Sequence, residues 1–284
     1  MSLEASPSAP PPPALEMIQV TVGSLKDSDK IVLREVNWTA QTGDYWAIGG
    51  LQASGKSDFL AMAAGIMPPL EGSYRVLGRE LSASYEAERL AARLPIGLVF
   101  DGGRLLSHLT IAENVSLPIR YHQDLNPQEC RQQVQDLLEL IGAAKRADDM
   151  PATVGRTWHQ RVGLARSLAL KPQILLLDNP LTGLDPREAG WWLGILHELS
   201  VGHPILAGRP ITVVVTGDDL RPWKEQATRF AVLQDERFLA LGDRSELASR
   251  DEPVLQHLLS SPHPRPFPGG SNECAIAGLN LARP

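Results

Sequence analysis

Gly50-Leu51-Gln52-Ala53-Ser54-Gly55-Lys56-Ser57 follows directly on the apolar run Tyr45 to Ile48 and leads into Asp58 to Ile66, a stretch of helix-forming composition. A glycine, four residues and then Gly-Lys-Ser is the pattern of a phosphate-binding loop. Strand, loop and helix fall in the order the chemistry needs, so that backbone N–H groups of the loop and of the helix amino terminus converge on an anion. Gly50 and Gly55 permit the tight curl, Lys56 carries a point charge to the β- and γ-phosphates, and the Ser57 hydroxyl is placed to ligate Mg²⁺. Leu51, Gln52, Ala53, Ser54 and Asp58 complete the segment expected to line the nucleotide.

A second element points to the same site. Ile174-Leu175-Leu176-Leu177-Asp178 reads as a buried strand ending in a carboxylate, which would hold Mg²⁺ directly or through water at the carboxyl edge of a sheet. A buried strand followed by Asp is common by itself; its pairing with the loop gives it weight. Other β-rich runs appear at Met17 to Val22, Ile31 to Val36, Ile96 to Phe100 and Ile211 to Val215. The later ones are apolar throughout, as parallel strands covered on both faces are. Helical spacing shows at Val134, Leu137, Leu138 and Ile141, from Gln160 to Leu170, and at Trp192, Ile195, Leu196 and Leu199. Strands alternating with helices mean an α/β fold. The Trp191 and Trp192 pair reads as helix packing.

Roughly 120 residues separate Lys56 from Asp178, room for a helical insertion. From about Met17 to Leu259 the sequence resembles the ABC transporter ATPases. After the strand carboxylate it reads Asn179-Pro180-Leu181-Thr182-Gly183-Leu184-Asp185-Pro186, similar to the family loop that crosses the dimer interface. Gln160-Arg161-Val162-Gly163-Leu164-Ala165-Arg166-Ser167-Leu168-Ala169 is similar to the helix after the family signature. The resemblance implies a P-loop cassette with a mostly parallel core sheet, an antiparallel β subdomain and an inserted helical subdomain at about 103 to 165. It also implies ATP and Mg²⁺ as ligands. The partners it implies are a second cassette, in a homodimer or heterodimer, and an integral membrane permease subunit received near Gly102 to Tyr121. Within the family, Leu98 to Phe100, Leu105 to Pro118 and Asp251 to Leu259 look closest to the MlaF-like lipid-transport branch.

Several positions depart from the family pattern. The residue after Asp178, a Glu in the family, is Asn179; an amide orients water but accepts no proton, and loss of a general base costs about 10² to 10⁴ in rate. The family's switch His is Gly217, within Thr216-Gly217-Asp218-Asp219, so that Asp218 or Asp219 is left as a substitute base. The signature appears as Val154-Gly155-Arg156-Thr157-Trp158, where Arg156 and Thr157 would replace lost contacts by charge and hydroxyl. The family's metal-contacting Gln is replaced by Asp101, whose carboxylate is expected to reach Mg²⁺ while altering the charge at the metal, and no aromatic residue falls between Ser24 and Lys30 to stack adenine. The expected outcome is an ATP-binding subunit of a transport complex, of lipid type, with reduced or altered hydrolysis. The competing outcome is an ATP-gated regulatory or scaffold protein.

The whole chain sets the bounds. Its 284 residues with 43% hydrophobic content suffice for one cassette, expected over 17 to 260. The Pro-rich stretch 1 to 16 and the Pro, Gly and Ser-rich stretch 261 to 284 are expected to be disordered tails. A net charge of −6 argues against nucleic acid as a partner. Cys130 and Cys274 stand far apart and define no disulfide framework. No apolar run reaches the roughly 20 residues of a membrane span, so a cytoplasmic protein, peripheral on the inner face of the cell membrane through its partner, is expected. A GTPase or kinase fits poorly, for the Asn-Lys-x-Asp guanine motif does not occur.

Overall fold

In a computed structural model, residues 11–27, 29–81, 86–249 and 253–259 are described. The expected tail at 261 to 284 lies outside the described residues, as do the first ten of the amino-terminal stretch. The elements follow in the order β1 (Leu15–Gly23), β2 (Ile31–Ala40), β3 (Tyr45–Gly50), α1 (Lys56–Ala63), β4 (Glu71–Val76), β5 (Arg79–Glu80), α2 (Glu86–Arg93) and β6 (Ile96–Val99). After them come α3 (Ile111–His122), α4 (Pro127–Leu140), α5 (Arg156–Leu168), β7 (Ile174–Leu177), α6 (Pro186–Val201), β8 (Thr212–Gly217), β9 (Arg229–Gln234), β10 (Arg237–Gly242), α7 (Arg244–Ser249) and α8 (Pro253–Leu259).

The strands form two sheets. The larger has the order β10-β9-β3-β8-β7-β6, with β9, β3, β8, β7 and β6 mutually parallel and β10 antiparallel at the edge. The smaller, β2-β1-β4-β5, is antiparallel. β1 starts at Leu15, earlier than the expected Met17, because Leu15 is buried and pairs with both Ala40 and Val76.

The unbroken apolar runs of the larger sheet are explained by burial on both faces. In β7, Leu175 and Leu177 join Ala47, Val99, Val213 and Val215 in a core shared with α3, α4, α5 and α6. Ile174 and Leu176 face the other way, with Trp46, Ile48 and Val214, into a core built with α1 and the antiparallel sheet. The sheet is thus the middle layer, and its strand ends are fixed from two sides. The expected strands from Met17 to Val215 are all present. Between β6 and β7 stand α3, α4 and α5, where a helical insertion was expected.

Candidate nucleotide site

The carboxyl ends of β3, β8, β7 and β6 lie side by side. They carry in turn the loop after Gly50, Gly217 with Asp218, Asp178 with Asn179, and Asp101. All open onto a cleft of about 1080 Å³, closed at its other end by Ser24, Leu25, Lys26 and Lys30 to Val32 and by Asp235 and Glu236 from the β9–β10 turn.

The loop is built around two glycines that admit no side chain. A Cβ on Gly50 would stand 2.3 Å from Ser54 Oγ, and one on Gly55 only 2.1 Å from Val32 Cγ1. Gly55 also has φ +89, a region glycine enters without strain. It caps α1, so the free N–H groups of that first turn point toward the cleft. Lys56 Nζ donates to Gly50 O at 2.6 Å and Leu51 O at 2.8 Å, folding its stem over the loop. Burial lowers the Lys56 pKa, while Asp218 and Asp178 pull it upward. Ser54 Oγ is buried with no hydrogen-bond partner among the described residues. A narrow loop with orphaned donors and one ammonium fits a phosphate chain.

Asp178, 4% exposed, accepts from Thr216 Oγ1 at 3.2 Å and from the Ser57 hydroxyl. Burial pushes its carboxyl upward; those two hydrogen bonds oppose the shift, Asp101 adds to it and Lys56 offsets it. A hydroxyl beside a carboxylate is a hard-cation donor pair. No cluster of three or more His, Cys, Asp or Glu in metal-binding arrangement occurs among the described residues. The pair therefore fits Mg²⁺ that takes its other oxygens from the nucleotide and water.

The altered positions also find their places. Asn179 has φ +50, a left-handed conformation that Asn tolerates, and its N–H donates to Thr216 Oγ1 at 3.2 Å. Gly217 ends β8 with no side chain to offer. Of the two candidate bases, Asp219 is spent on Arg221, bonded through both oxygens at 2.8 and 2.5 Å, whereas Asp218 is exposed and lines the cleft. Asn179, Thr182 and Asp218 also line, together with Gly217, an adjoining cavity of about 540 Å³ beneath the loop 179 to 185 and the first turn of α6. Asp185 of that loop caps α6, accepting from Arg187 N and Glu188 N.

Three residues have partners that sequence reasoning did not foresee. Asp58, expected to face the nucleotide, accepts from Leu25 N at 2.7 Å and ties the β1–β2 connection to α1. Asp101 accepts from Arg156 at 2.5 Å, joining the end of β6 to the amino terminus of α5. Trp158 is held under the guanidinium groups of Arg146 and Arg161, at 5.0 and 5.3 Å. Arg161 lies 3.7 Å from the Trp191 ring as well and pairs with Glu188 at 2.7 Å. Trp192 is fully buried, as expected of helix packing. Thr157 is half-buried beside Arg156. The residue motif reading missed is Arg104, which lines the cleft next to Asp101; its left-handed φ of +43 has no signature in composition.

Comparison with known proteins shows the family and the fold. The family model described as ABC transporter matches residues 33–182. The methionine import ATP-binding protein MetN 1 of Rhodococcus jostii (strain RHA1) is 31% identical over 258 residues, covering 86% of this chain and 76% of its own. MetN of Clostridioides difficile (strain 630) is 29% identical, with 80% and 69% covered. The sulfate/thiosulfate import ATP-binding protein CysA of Nephroselmis olivacea is 34% identical, with 82% of this chain covered; the chain spans 63% of that relative's length. Among solved structures, the ATP-binding cassette MJ0796, dimeric and bound to ADP and Pi, superposes with a TM-score of 0.70 at 27% identity, covering 78% of this chain and 95% of its own.

Proposed function

Because the chain belongs to the ABC transporter family, we propose that it serves as the ATP-binding subunit of a transport complex and hydrolyses ATP slowly. The observation that carries the binding half is the loop at Gly50 to Ser57, with Lys56 over it and the Ser57–Asp178 pair beside it. Mg²⁺, when bound, would neutralise charge on the phosphate oxygens. Lys56 and the N–H groups of α1 would hold the phosphates, and Ser57 and Asp178 would hold the ion.

Slow hydrolysis is proposed from Asn179 and Gly217. In hydrolysis water attacks the terminal phosphorus, the bond to the bridging oxygen breaks, and the water's proton must go to a base. Asn179 can orient that water and cannot take its proton. Gly217 offers no side chain. Asp218 is the carboxylate that remains at that end of the cleft.

A second cassette and a membrane permease are the proposed partners, as MetN and CysA are named import ATP-binding proteins and MJ0796 is dimeric. Arg156 and Thr157, at the amino terminus of α5, are the proposed contacts to a partner's nucleotide. No helix among the described residues is long and apolar enough to cross a membrane, and a peripheral place on the cytoplasmic face is proposed through the permease. The lipid-type cargo suggested by residues 98 to 118 and 251 to 259 finds no support in those relatives, whose names give methionine and sulfate. The test is purification from membranes with the permease, together with ATP turnover. A co-purifying membrane subunit and turnover about 10² or more below that of an Asn179→Glu variant are expected. A chain that binds no membrane protein would favour the regulatory role, and rapid turnover unaffected by that substitution would end the slow-hydrolysis reading.

A further inference from the structure

We infer that Arg104 supplies a second cationic contact to the terminal phosphate of a nucleoside triphosphate in the cleft, an assignment resting on the nucleotide-binding reading above. Asp101, Asp178 and Asp218 line the phosphate end against the single ammonium of Lys56. A triphosphate adds further negative charge there, and Arg156 compensates only Asp101. The remaining cleft-lining cation at that end is Arg104.

Its geometry is that of a group held in advance. The backbone has φ +43, a conformation costly for a side-chain-bearing residue and found where surrounding structure enforces it. Arg166, half-buried in α5, holds the segment by donating to Gly103 O at 2.8 Å and Arg104 O at 3.1 Å. Gly103 is in turn wedged against α5, where a Cβ would stand 2.0 Å from His159 O. The Arg104 guanidinium is propped over the Phe100 ring, 4.6 Å from its centroid, and forms no ion pair with a carboxylate among the described residues. A planar donor fork fixed at its root, propped along its length and lacking a counterion suits phosphate oxygens.

Sheet order selects the phosphate. In β10-β9-β3-β8-β7-β6, the β9–β10 turn closes the end of the cleft that also holds Ser24 to Lys26 and Lys30 to Val32, and Arg104 follows β6 at the opposite end. A nucleotide with its β-phosphate in the loop after β3 then brings its terminal phosphate, not its base, toward Arg104.

The test is titration calorimetry of the full chain with Mg-ATP and with Mg-ADP. Arg104→Asn removes the guanidinium and keeps a residue that tolerates the left-handed backbone; Arg104→Gly removes the backbone strain as well. Both are expected to weaken Mg-ATP about tenfold, with Mg-ADP changed by less than about twofold, and Arg104→Lys to lie between. No weakening, or equal weakening of both nucleotides, overturns the assignment. Lys56→Ala is the separate control: if it abolishes binding while Arg104→Asn changes nothing, only the Arg104 assignment falls. If the unaltered chain binds neither nucleotide, the reading of the cleft falls with it.

Discussion

At Gly217 the missing side chain is a matter of chemistry and not of packing. Its φ is not in the left-handed region, and a Cβ there would meet Asp219 O at 3.4 Å, an ordinary contact. Asn179 is different, since φ +50 suits Asn better than Glu and restoring a carboxylate there carries some strain. The double variant Asn179→Glu with Gly217→His is expected to raise ATP turnover by about 10² or more with little change in Mg-ATP affinity. Phosphate release measured on both proteins checks this; equal rates would show that neither position limits hydrolysis. Motif letters sufficed to mark these residues, but not to sort the acids around them. Asp219 is consumed by Arg221 two residues away, Asp101 by Arg156 and Asp58 by Leu25 N. The last two partnerships join positions 55 and 33 apart in the chain, and only the folded chain brings them together.

Among the elements, α3 and α4 begin with reciprocal caps. Thr110 accepts from Glu113 N while Glu113 accepts from Thr110 N, and Asn126 and Glu129 do the same. Thr110→Ala is expected to cost about 1 kcal/mol, read by urea denaturation; an unchanged midpoint would contradict the role. The backbone hydrogen bond from Thr110 holds the Glu113 carboxyl below its usual value. Its folded pKa is thus lower than its unfolded one, so its stabilisation is present above the ordinary glutamate range and fades as pH falls through the lowered value. Arg161 is the larger anchor, linking Glu188, the Trp158 and Trp191 rings and Ile141 O. Arg161→Ala is expected to destabilise by about 2–4 kcal/mol in the same assay, and a loss under about 0.5 kcal/mol would show the cluster to be incidental. Periodicity revealed the strands whose apolar runs are continuous and the helices with a buried stripe. It missed β4, where Glu71-Gly72-Ser73-Tyr74 has little β character and the strand exists because Tyr74 and Val76 pair with Met17 and Leu15. Gly72 fits there because a Cβ would meet Gln19 O at 2.3 Å. The strand β9 did carry a signal, the apolar run Phe230 to Leu233 between Arg229 and Gln234.

On the scale of the molecule, one mostly parallel sheet between two cores sets the carboxyl ends of four strands in a row, and the cleft is the space above that row. The sequence order of loop, carboxylate and altered switch could be read without coordinates, because each follows a strand whose burial makes it apolar. What closes the far end of the cleft could not, since Asp235 and Glu236 arrive there only through the pairing of β9 with β3. The proposed role requires that cleft to grip a triphosphate. Titration calorimetry of the full chain with Mg-ATP, set against Lys56→Ala, tests it most directly. Micromolar binding by the unaltered chain, weakened about 100-fold or more by the substitution, is predicted; equal affinity in the two proteins, or no binding by either, would contradict it.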